Sequence, residues 1–403
     1  MWVAKRLDFR RSDIAFGLAG CGIRGRRKVW RQRVQDLWSP DGDVVACLSV
    51  RSGFDMVLGA AQFPKRSEII FTALTISDMP RIAEYHGMVP VPIDIDRTSA
   101  SPLLGEIGHA VTQHTRAIVV THLYGSRIDV APLVEMARQR RLLLIEDCAQ
   151  AFAGLGYVGH PGSDVTMFSF GPIKTATALG GALVCVRNEE LRRRMRDRQS
   201  RYPVQSTPAY GARLLKYAAL QALSGRQVYG GIWRLLRALG IDHDRLVHGL
   251  TKSFGGAGFF RRVRRQPCAA LMRLLTRRLQ GDHEQLEQRA ADGAELRRQL
   301  DPEIVCPGGE LSPHYYWVFP IVVDHPAAVI KALREAGFDA TEGRSIEVVE
   351  QPSRGTGANA NARAIRAHTV FLPFYPEMPA CARARMAAVV NRSVKARGAG
   401  PAG

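Results

Sequence analysis

A tight loop between two apolar segments, residues 168–174, ends on a single lysine, Lys174. Glycine and proline lead into this lysine, and a Gly-Gly pair follows before the next apolar run. A lone lysine is usually a solvated surface residue, but this loop would enclose the ammonium group. Because desolvation lowers the pKa of a lysine, an enclosed amine can form a Schiff base with an aldehyde. Ser169, at the start of the loop, would lie near enough to donate a hydrogen bond to a phosphate.

An acidic pair and an amide follow another apolar run, residues 142–145. Glu146 and Asp147 end this predicted strand, and Gln150 comes three residues after Asp147. A buried carboxylate is costly unless it has a cationic partner. A protonated pyridine nitrogen is such a partner, and its protonation makes the ring an electron sink. The alternative is an aspartate that caps the next helix, and these residues alone leave both readings open.

Two weaker signals stand at other predicted strand ends. Ser52, Gly53 and Phe54 lie between a strand and a helix, where backbone N–H groups attract phosphate, although an ordinary turn is the default. His122 and Tyr124 follow a continuous apolar run. They would line a substrate pocket or simply end a packed strand.

The elements that must position these residues alternate between short β-branched runs and longer helical stretches from residue 44 to residue 186. This alternation predicts an α/β fold with a mainly parallel sheet and right-handed crossovers. Ligands of such sheets bind beyond the C-terminal ends of the strands. We expect a strand at 315–323 and helices at 327–336 and 382–396. The predicted organisation is an N-terminal segment (1–43), a large domain (44–204), a basic helical insertion (205–258), connecting helices (259–306) and a small C-terminal α/β domain (307–403).

The composition excludes several other classes of protein. Of 403 residues, 46% are hydrophobic and 23% are charged, as in a folded globular protein. Seven scattered cysteines predict neither a zinc site nor a disulfide framework, and they favour a reduced, cytoplasmic protein. No apolar run reaches the roughly 18–20 residues of a membrane-spanning helix. Residues 18–21 resemble a lipoprotein cleavage box, but the preceding apolar core is so short that we expect an amphipathic segment instead of an export signal.

Taken together and in this order, these residues resemble the DegT/DnrJ/EryC1/StrS sugar aminotransferases, a branch of the aspartate-aminotransferase-like enzymes that use pyridoxal 5′-phosphate. The resemblance covers about residues 44–200 and, more weakly, residues 310–392. The family's Ser-Phe-x-x-x-Lys pattern falls on residues 169–174, and its acidic-strand signature falls on residues 146–150. The resemblance implies a three-layer large domain and a homodimer.

The resemblance also implies a role for each site residue. Lys174 would be the Schiff-base lysine and the acid/base of the proton shift, which argues against the dehydratases of the family, where histidine replaces it. Asp147 would pair with the pyridine nitrogen, and Gln150 would lie near the phenolic oxygen of the cofactor. Ser169 and the backbone amides that follow Gly53 would bind the phosphate.

Three departures from the family pattern concern the cofactor contacts. Phe54 stands where the family usually has threonine, and Ile76 stands near the position of the usual stacking aromatic ring. An arginine-rich run at 261–268 stands where an asparagine-containing loop normally reaches the neighbouring subunit. These departures motivate an alternative from another class, a binding or regulatory protein that keeps the fold without catalysis.

Positive charge is concentrated in one part of the chain. The net charge is +19, and residues 187–281 hold 21 Lys and Arg against five Asp and Glu. Within this region, residues 212–240 predict basic amphipathic helices with Trp233, Tyr229 and leucines on one face and Arg234 and Arg237 off it. Such helices bind anionic membrane surfaces or pack on the protein. Binding to nucleic acid is a weaker alternative, because the sequence contains no recognised nucleic-acid-binding module.

The predicted reaction is amino transfer, with glutamate as the expected donor, to a ketone of a sugar or sugar-like acceptor. A nucleotide-linked acceptor would explain a few arginines near the site. The amphipathic helices favour a lipid-linked or amphiphilic acceptor and a cytoplasmic enzyme that associates peripherally with membrane.

Overall fold

The computed structural model of the protein describes residues 1–23, 25–238, 258–281, 284–343, 346–350 and 359–398. Its helices are α1 (Arg11–Gly22), α2 (Arg27–Trp38), α3 (Val50–Ala61), α4 (Asp78–Tyr85), α5 (Leu104–Ala110), α6 (Ala131–Arg140), α7 (Glu189–Ser200), α8 (Thr207–Leu223), α9 (Arg226–Ala238), α10 (Phe259–Val263), α11 (Ala269–Leu279), α12 (Glu284–Gln299), α13 (Pro326–Glu335), α14 (Ala360–His368) and α15 (Ala380–Gly398). Its strands are β1 (Val44–Cys47), β2 (Glu68–Thr72), β3 (Leu74–Thr75), β4 (Val89–Ile93), β5 (Thr115–Thr121), β6 (Leu143–Asp147), β7 (Val165–Ser169), β8 (Ala182–Val186), β9 (Phe319–Val322), β10 (Thr341–Glu342), β11 (Glu347–Val348) and β12 (Thr369–Leu372).

Seven strands form the central sheet in the order β1-β8-β7-β6-β5-β2-β4. β8 pairs antiparallel with both of its neighbours, and the remaining pairs are parallel. Apolar side chains on both faces bury the sheet between helices, with α3, α4 and α7 on one side and α2, α5, α6 and α11 on the other. The predicted three-layer α/β fold with a mainly parallel sheet is confirmed.

The register of the sheet brings the polar strand ends to one edge. Asp147, the last residue of β6, pairs with Thr121 at the end of β5 and with Met167 in β7. Ser169 ends β7 two residues further on. Since β5, β6 and β7 run parallel, their carboxyl ends share the edge where such sheets bind ligands.

The C-terminal part of the chain builds a second, smaller sheet. Its order is β10-β12-β9, and all of its pairs are antiparallel. A core that includes Leu333, Phe338 and Met386 joins this sheet to α13 and α15. The strand predicted at 315–323 is shorter in the structure, because Tyr315–Val318 form a loop and only Phe319–Val322 are extended and paired.

The N-terminal helices pack on the helices that follow the large sheet. Gly17 of α1 approaches Leu214 of α8 and Leu274 of α11 so closely that a Cβ atom would lie 3.0 and 3.3 Å from their side chains. Asp13 of α1 is buried and pairs with Arg277 and Arg278 at 3.0 and 2.9 Å. Residues 11–22 therefore form a packed helix of the folded protein.

Helix α9 continues without a break through Gly230 and Gly231. A Cβ at Gly230 would lie 3.1 Å from the nitrogen of Met1, so the glycine leaves room for the chain end. Residues 239–257 lie outside the described residues, as do the side chains of Trp233, Leu236 and Arg237. None of the helices in the described ranges is long and apolar enough to cross a bilayer.

Candidate active site

The loop after β7 holds Lys174 in a compact turn. The Lys174 amide donates to the Gly171 carbonyl at 3.0 Å, and the amides of Ala178 and Gly180 both donate to the Phe170 carbonyl. Gly180 and Gly181 have φ angles of 158° and 90°, a region that favours glycine. This backbone returns the chain at once into β8, and Lys174 is half-buried in the turn.

The side chain of Lys174 lies against an aromatic face. Its Nζ is 3.7 Å from the centroid of the Trp317 ring, and the Trp317 indole N–H donates to the Ile173 carbonyl at 2.7 Å. Burial lowers the pKa of Lys174 to about 7, and the Lys5 ammonium contributes to the lowering, whereas Asp147 opposes it. The amine is therefore available in its neutral form near neutral pH.

Asp147 is the second predicted site residue that the structure brings to this edge. Its side chain is buried, and its Oδ1 accepts from the Ala149 amide at 3.0 Å. Burial raises the pKa of Asp147 although the Ala149 amide and Lys174 oppose the increase. The residues after Asp147 form turns and not a helix, which removes the helix-cap reading.

Gln150 and Ser169 also lie at this edge. The Gln150 Oε1 accepts from the Tyr124 amide at 2.9 Å, which fixes the carboxamide while its Nε2 has no hydrogen-bond partner in the described part of the chain. Ser169 is half-buried. A Cβ on Gly171 would lie 3.7 Å from the Ser169 Oγ and 4.0 Å from the Lys174 Cγ, so the hydroxyl and the lysine flank the same glycine.

His122 and Tyr124 are placed inside the protein. The Nε2 of His122 lies 2.9 Å from Glu146 Oε1, and its Nδ1 accepts from the Ile128 amide at 3.1 Å, so both ring nitrogens have protein partners. Tyr124 is 2% exposed and packs against Phe371. Neither side chain is presented to a substrate in this structure.

Ser52, Gly53 and Phe54, which were predicted to bind the phosphate at the start of a helix, lie further along that helix. Helix α3 begins at Val50 with Ser49 as its N-cap, so the Gly53 amide donates to the Ser49 carbonyl inside the helix. The Ser52 hydroxyl donates to the Val263 carbonyl at 2.6 Å. Phe54 is fully buried beside Phe71.

Packing, and not phosphate binding, explains the glycine of this segment. A Cβ on Gly53 would lie 2.6 Å from Val184 Cγ2 of the neighbouring strand. The structure therefore does not expose Ser52, Gly53 or Phe54 at the candidate active site. The start of α3 lies three residues earlier than Gly53, at Val50.

Three residues that the sequence analysis did not select contribute to the site. Arg51, in the first turn of α3, affects the pKa of both Lys174 and Asp147 through its charge. Lys5 lies with its Nζ 4.5 Å from the Trp317 centroid. Trp317 was predicted inside a strand, and no local pattern marks it or Lys5, because only the fold brings them to Lys174.

A cavity of about 580 Å³ opens from Lys174 and Trp317 toward the N-terminal helices. Its lining is rich in arginine and aromatic side chains, including Phe16, Trp30, Arg273, Arg277, Arg278 and Arg289. The Arg273 guanidinium lies 4.3 Å from the Phe16 centroid. Asp147, Gln150 and Ser169 are not part of this lining. The cavity therefore extends outward from the lysine as a cationic and aromatic compartment.

These residues fit the cofactor that the resemblance implies. A lysine amine with a lowered pKa suits attack on an aldehyde. Among the described residues, the buried carboxylate of Asp147 accepts a hydrogen bond from the Ala149 amide at Oδ1 and none at Oδ2, and its raised pKa is expected of a group that needs a cation. Ser169 supplies a hydroxyl donor for a phosphate, and Arg51, which also pairs with Asp78, is close enough for its charge to act on Lys174 and Asp147.

Comparisons with known proteins support this fit. A family model described as the DegT/DnrJ/EryC1/StrS aminotransferase family matches residues 40–391. The chain is 31% identical over 166 residues to a GDP-perosamine synthase of Escherichia coli O157:H7, covering 40% of this chain and 45% of that protein. It is 32% identical over 159 residues to a UDP-N-acetyl-3-dehydro-alpha-D-glucosamine 3-aminotransferase of Acidithiobacillus ferrooxidans, covering 38% and 42%. The matched regions thus span less than half the length of these relatives.

Solved structures extend the similarity to nearly the whole chain. The aminotransferase TlmJ of Streptoalloteichus hindustanus superimposes with a TM-score of 0.71 at 18% identity, covering 96% of this chain and 97% of that one. PseC of Helicobacter pylori gives 0.70 at 15% identity over 98% and 99%. At these identities the structures show the fold. With its family model matched over residues 40–391, this chain belongs to the DegT/DnrJ/EryC1/StrS aminotransferase family, which confirms the predicted family and its pyridoxal 5′-phosphate cofactor.

Proposed function

We propose that this protein transfers an amino group, with glutamate as donor, to the ketone of a nucleotide-linked sugar. The observation that carries the proposal is the cavity that opens from Lys174 with arginine and aromatic side chains around it. Guanidinium groups bind diphosphate with paired hydrogen bonds, and aromatic rings stack on bases. The same cations attract the carboxylates of glutamate. The similarity to proteins named for GDP-linked and UDP-linked sugars supports this substrate class.

Each site residue has a part in the proposed reaction. Pyridoxal phosphate, when bound, supplies the electron sink that stabilises negative charge beside the transferred nitrogen. Asp147 would hold the ring nitrogen protonated, because its buried carboxylate gains a cation by doing so. Lys174 would accept and return the proton at Nζ, for which a pKa near neutrality is best suited. Ser169 and Arg51 would orient the phosphate. The Nε2 of Gln150 would donate a hydrogen bond to the phenolic oxygen of the cofactor.

The acceptor class is tested by a half-reaction. The protein is first loaded with pyridoxamine phosphate, and recovery of the visible cofactor band is followed after adding a nucleotide-linked ketosugar or the same ketosugar without its nucleotide. We expect recovery at least about 100-fold faster with the nucleotide, since two or more charge-assisted hydrogen bonds are lost without it. Arg273→Met and Arg277→Met should reduce this preference, whereas Lys395→Met, far from the cavity, serves as the matched control. Equal rates with the two acceptors would contradict the proposal.

A second candidate is a lipid-linked or amphiphilic acceptor used at an anionic membrane surface. The supporting observation is the apolar exposure of Leu215 and Leu223 on α8 and Val228 on α9, which are 58%, 48% and 50% exposed. Other residues of the predicted amphipathic region have packing roles. Tyr229 packs in the core of the small domain and donates to Asp339 at 2.5 Å, and Tyr217 is buried.

Sedimentation with anionic liposomes tests this candidate. Binding should weaken with salt and should fall when the exposed Leu215 and Leu223 become Ser or Arg234 becomes Glu. Arg298→Glu, an equally exposed charge change on α12, should leave it unchanged. A protein that ignores anionic liposomes at low salt would leave α8 and α9 as packing elements and the nucleotide-linked acceptor as the better proposal.

We also propose a homodimer, on the strength of family membership. The expected result is a mass of twice 44.4 kDa in light scattering at micromolar concentration. A monomer under these conditions would contradict it.

A further inference from the structure

The N-terminal segment, residues 1–10, reaches the candidate active site although the family match begins only at residue 40. One end of the segment is tied to the small domain. The Trp2 amide donates to the Gly337 carbonyl, the Asp339 amide donates to the Trp2 carbonyl, both at 2.8 Å, and Val3 is buried in the core of that domain.

The other end of the segment is tied to the lysine loop. The Oδ2 of Asp8 accepts from the Ala176 amide at 2.6 Å, two residues after Lys174, and Asp8 also pairs with Arg278 at 2.9 Å. Phe9 is buried against the large domain. Lys5 therefore lies on a short stretch that is held at both ends.

The aromatic ring between the two lysines is also fixed. The indole N–H of Trp317 donates to the Ile173 carbonyl at 2.7 Å, so the ring is tied to the residue just before Lys174. The Nζ atoms of Lys174 and Lys5 lie 3.7 and 4.5 Å from its centroid. The amino groups of both lysines thus lie near the same Trp317 ring, and a positive charge on one lysine disfavours protonation of the other.

We propose that Lys5 is a positioning residue of the active site, whose ammonium group beside Trp317 keeps Lys174 in its neutral, reactive form. The proposal deepens the proposed function and rests on it for the role of the Lys174 amine. It makes the N-terminal segment a part of the site.

The protonation of the two lysines supports this geometry. Burial lowers the pKa of Lys174 to about 7, with Lys5 as the largest lowering charge, and Lys5 itself is exposed. Near neutral pH, the exposed Lys5 therefore remains charged, while about half of Lys174 is neutral. The charged groups that face Lys174 or line the same cavity come from several elements: Lys5, Arg6, Asp8 and Arg10 from the N-terminal segment, Asp13 from α1, Arg33 from α2, Arg51 from α3, Asp147 from β6, Arg273, Arg277 and Arg278 from α11, Arg289 from α12 and Glu377 before α15.

Lys5 is the one lysine among these groups, and the other cations are arginines, which carry their charge in the neutral range where Lys174 is expected to titrate. Arg289 donates to Thr175 Oγ1 at 3.2 Å, and Asp8 is engaged by Ala176 and Arg278. The charge of Lys5 can therefore be removed without breaking any hydrogen bond to the loop that the described residues show.

The experiment measures the pKa of individual lysines in the full-length protein freed of cofactor. Trace acetylation between pH 6 and pH 11, with quantification by peptide mass spectrometry, gives the pH at which each amine becomes reactive. Lys28, which is exposed on α2, is the internal reference for the reactivity of a solvated amine. The expected midpoint for Lys174 is near 7.

In Lys5→Met, the Lys174 midpoint should rise by about one pH unit, the usual effect of one nearby charge. Lys5→Arg, which keeps the charge, should hold the midpoint within a few tenths of the wild-type value, and Lys28→Met should not move it. If Lys5→Met does not fold, Lys5→Gln tests the same charge.

An unchanged midpoint in Lys5→Met or Lys5→Gln would overturn the proposal, as would a wild-type midpoint near 10. A shifted midpoint in a protein that transfers no amino group would uphold this inference and defeat the proposed function, so the two fail separately.

Discussion

Two neighbouring carboxylates at the end of β6 have opposite chemistry. Glu146 points to one side of the sheet and is surrounded by donors: His122, Tyr157, Ser163 and the His160 amide. Burial alone would raise its pKa, but these hydrogen bonds, with His122 first, lower it to about 2. Asp147 points to the other side and accepts one hydrogen bond from the described residues, and burial raises its pKa.

Successive side chains of a strand point to opposite faces of the sheet. Two adjacent residues can therefore have different roles, one in stability and the other in function. Glu146 is satisfied by the protein and stabilises the fold. Asp147 is left without sufficient compensation, as expected of a group reserved for a cationic ligand. The following substitutions test this division, beginning with the largest expected effect.

The lysine opposite Asp147 should be indispensable. Lys174→Ala removes the amine that binds the cofactor and moves the proton, so we expect amino transfer to fall by about 1000-fold or more. The visible cofactor band should be lost while circular dichroism is unchanged. Lys216→Ala, on α8, is the matched control and should keep both the band and the activity; full activity in Lys174→Ala would end the proposed mechanism.

Asp147→Asn should reduce function and spare stability. The amide cannot hold a ring nitrogen protonated, so we expect amino transfer to fall by about 100-fold, within the range of acid–base contributions. Because folding raises the pKa of Asp147, the ionised carboxylate opposes folding above that pKa. The free energy of unfolding of the cofactor-free protein at pH 7, from urea titration, should therefore stay constant or rise by about 1 kcal/mol. If the loss in unfolding free energy exceeded the loss in activity expressed as a free energy, Asp147 would be a stabilising residue and not a functional one.

Glu146→Gln should have the opposite outcome. A pKa lowered from 4.5 to about 2 corresponds to about 3 kcal/mol of stabilisation at pH 7, and the side chain has no exposure that would screen it. We expect unfolding free energy to fall by about 3 kcal/mol while cofactor binding, measured in native conditions, changes less than about threefold.

The pH dependence of this loss gives a sign that can be checked. Because the folded pKa of Glu146 lies below the unfolded value, the stabilisation is complete above about pH 4.5 and is lost as the pH falls toward 2. The difference between wild type and Glu146→Gln should therefore shrink in acid. A difference that grows in acid would mean that the carboxylate is not stabilised as described.

The smallest effect is expected for Tyr157→Phe, which removes one of the donors to Glu146. The loss should be about 1 kcal/mol in unfolding free energy, the usual value of one hydrogen bond, with amino transfer unchanged. Thermal melting curves suffice for this measurement. Additive losses in the double variant with Glu146→Gln would contradict the network, since residues that share one interaction are not independent.

The sequence predicted the parts of the site that depend on local pattern. Apolar runs that end in polar residues identified β5, β6 and β7, and glycine around Lys174 identified its loop, because buried strands and tight turns constrain composition directly. The Ser-Gly pattern misled, since Gly53 is required for packing against Val184 and lies inside α3. Lys5 and Trp317 reach Lys174 only through tertiary structure, so no local pattern predicts them.

The central claim is that Lys174 and Asp147 form the working centre of an aminotransferase. The most direct test is a spectrum of the purified protein with pyridoxal phosphate, before and after glutamate is added. We predict a visible band that Lys174→Ala lacks and that glutamate converts to the pyridoxamine form, with glutamate consumed in equal amount. A protein that shows no such band, or one whose band is unchanged by glutamate and by other amino donors, would contradict the account and indicate a binding protein that has kept the fold without the reaction.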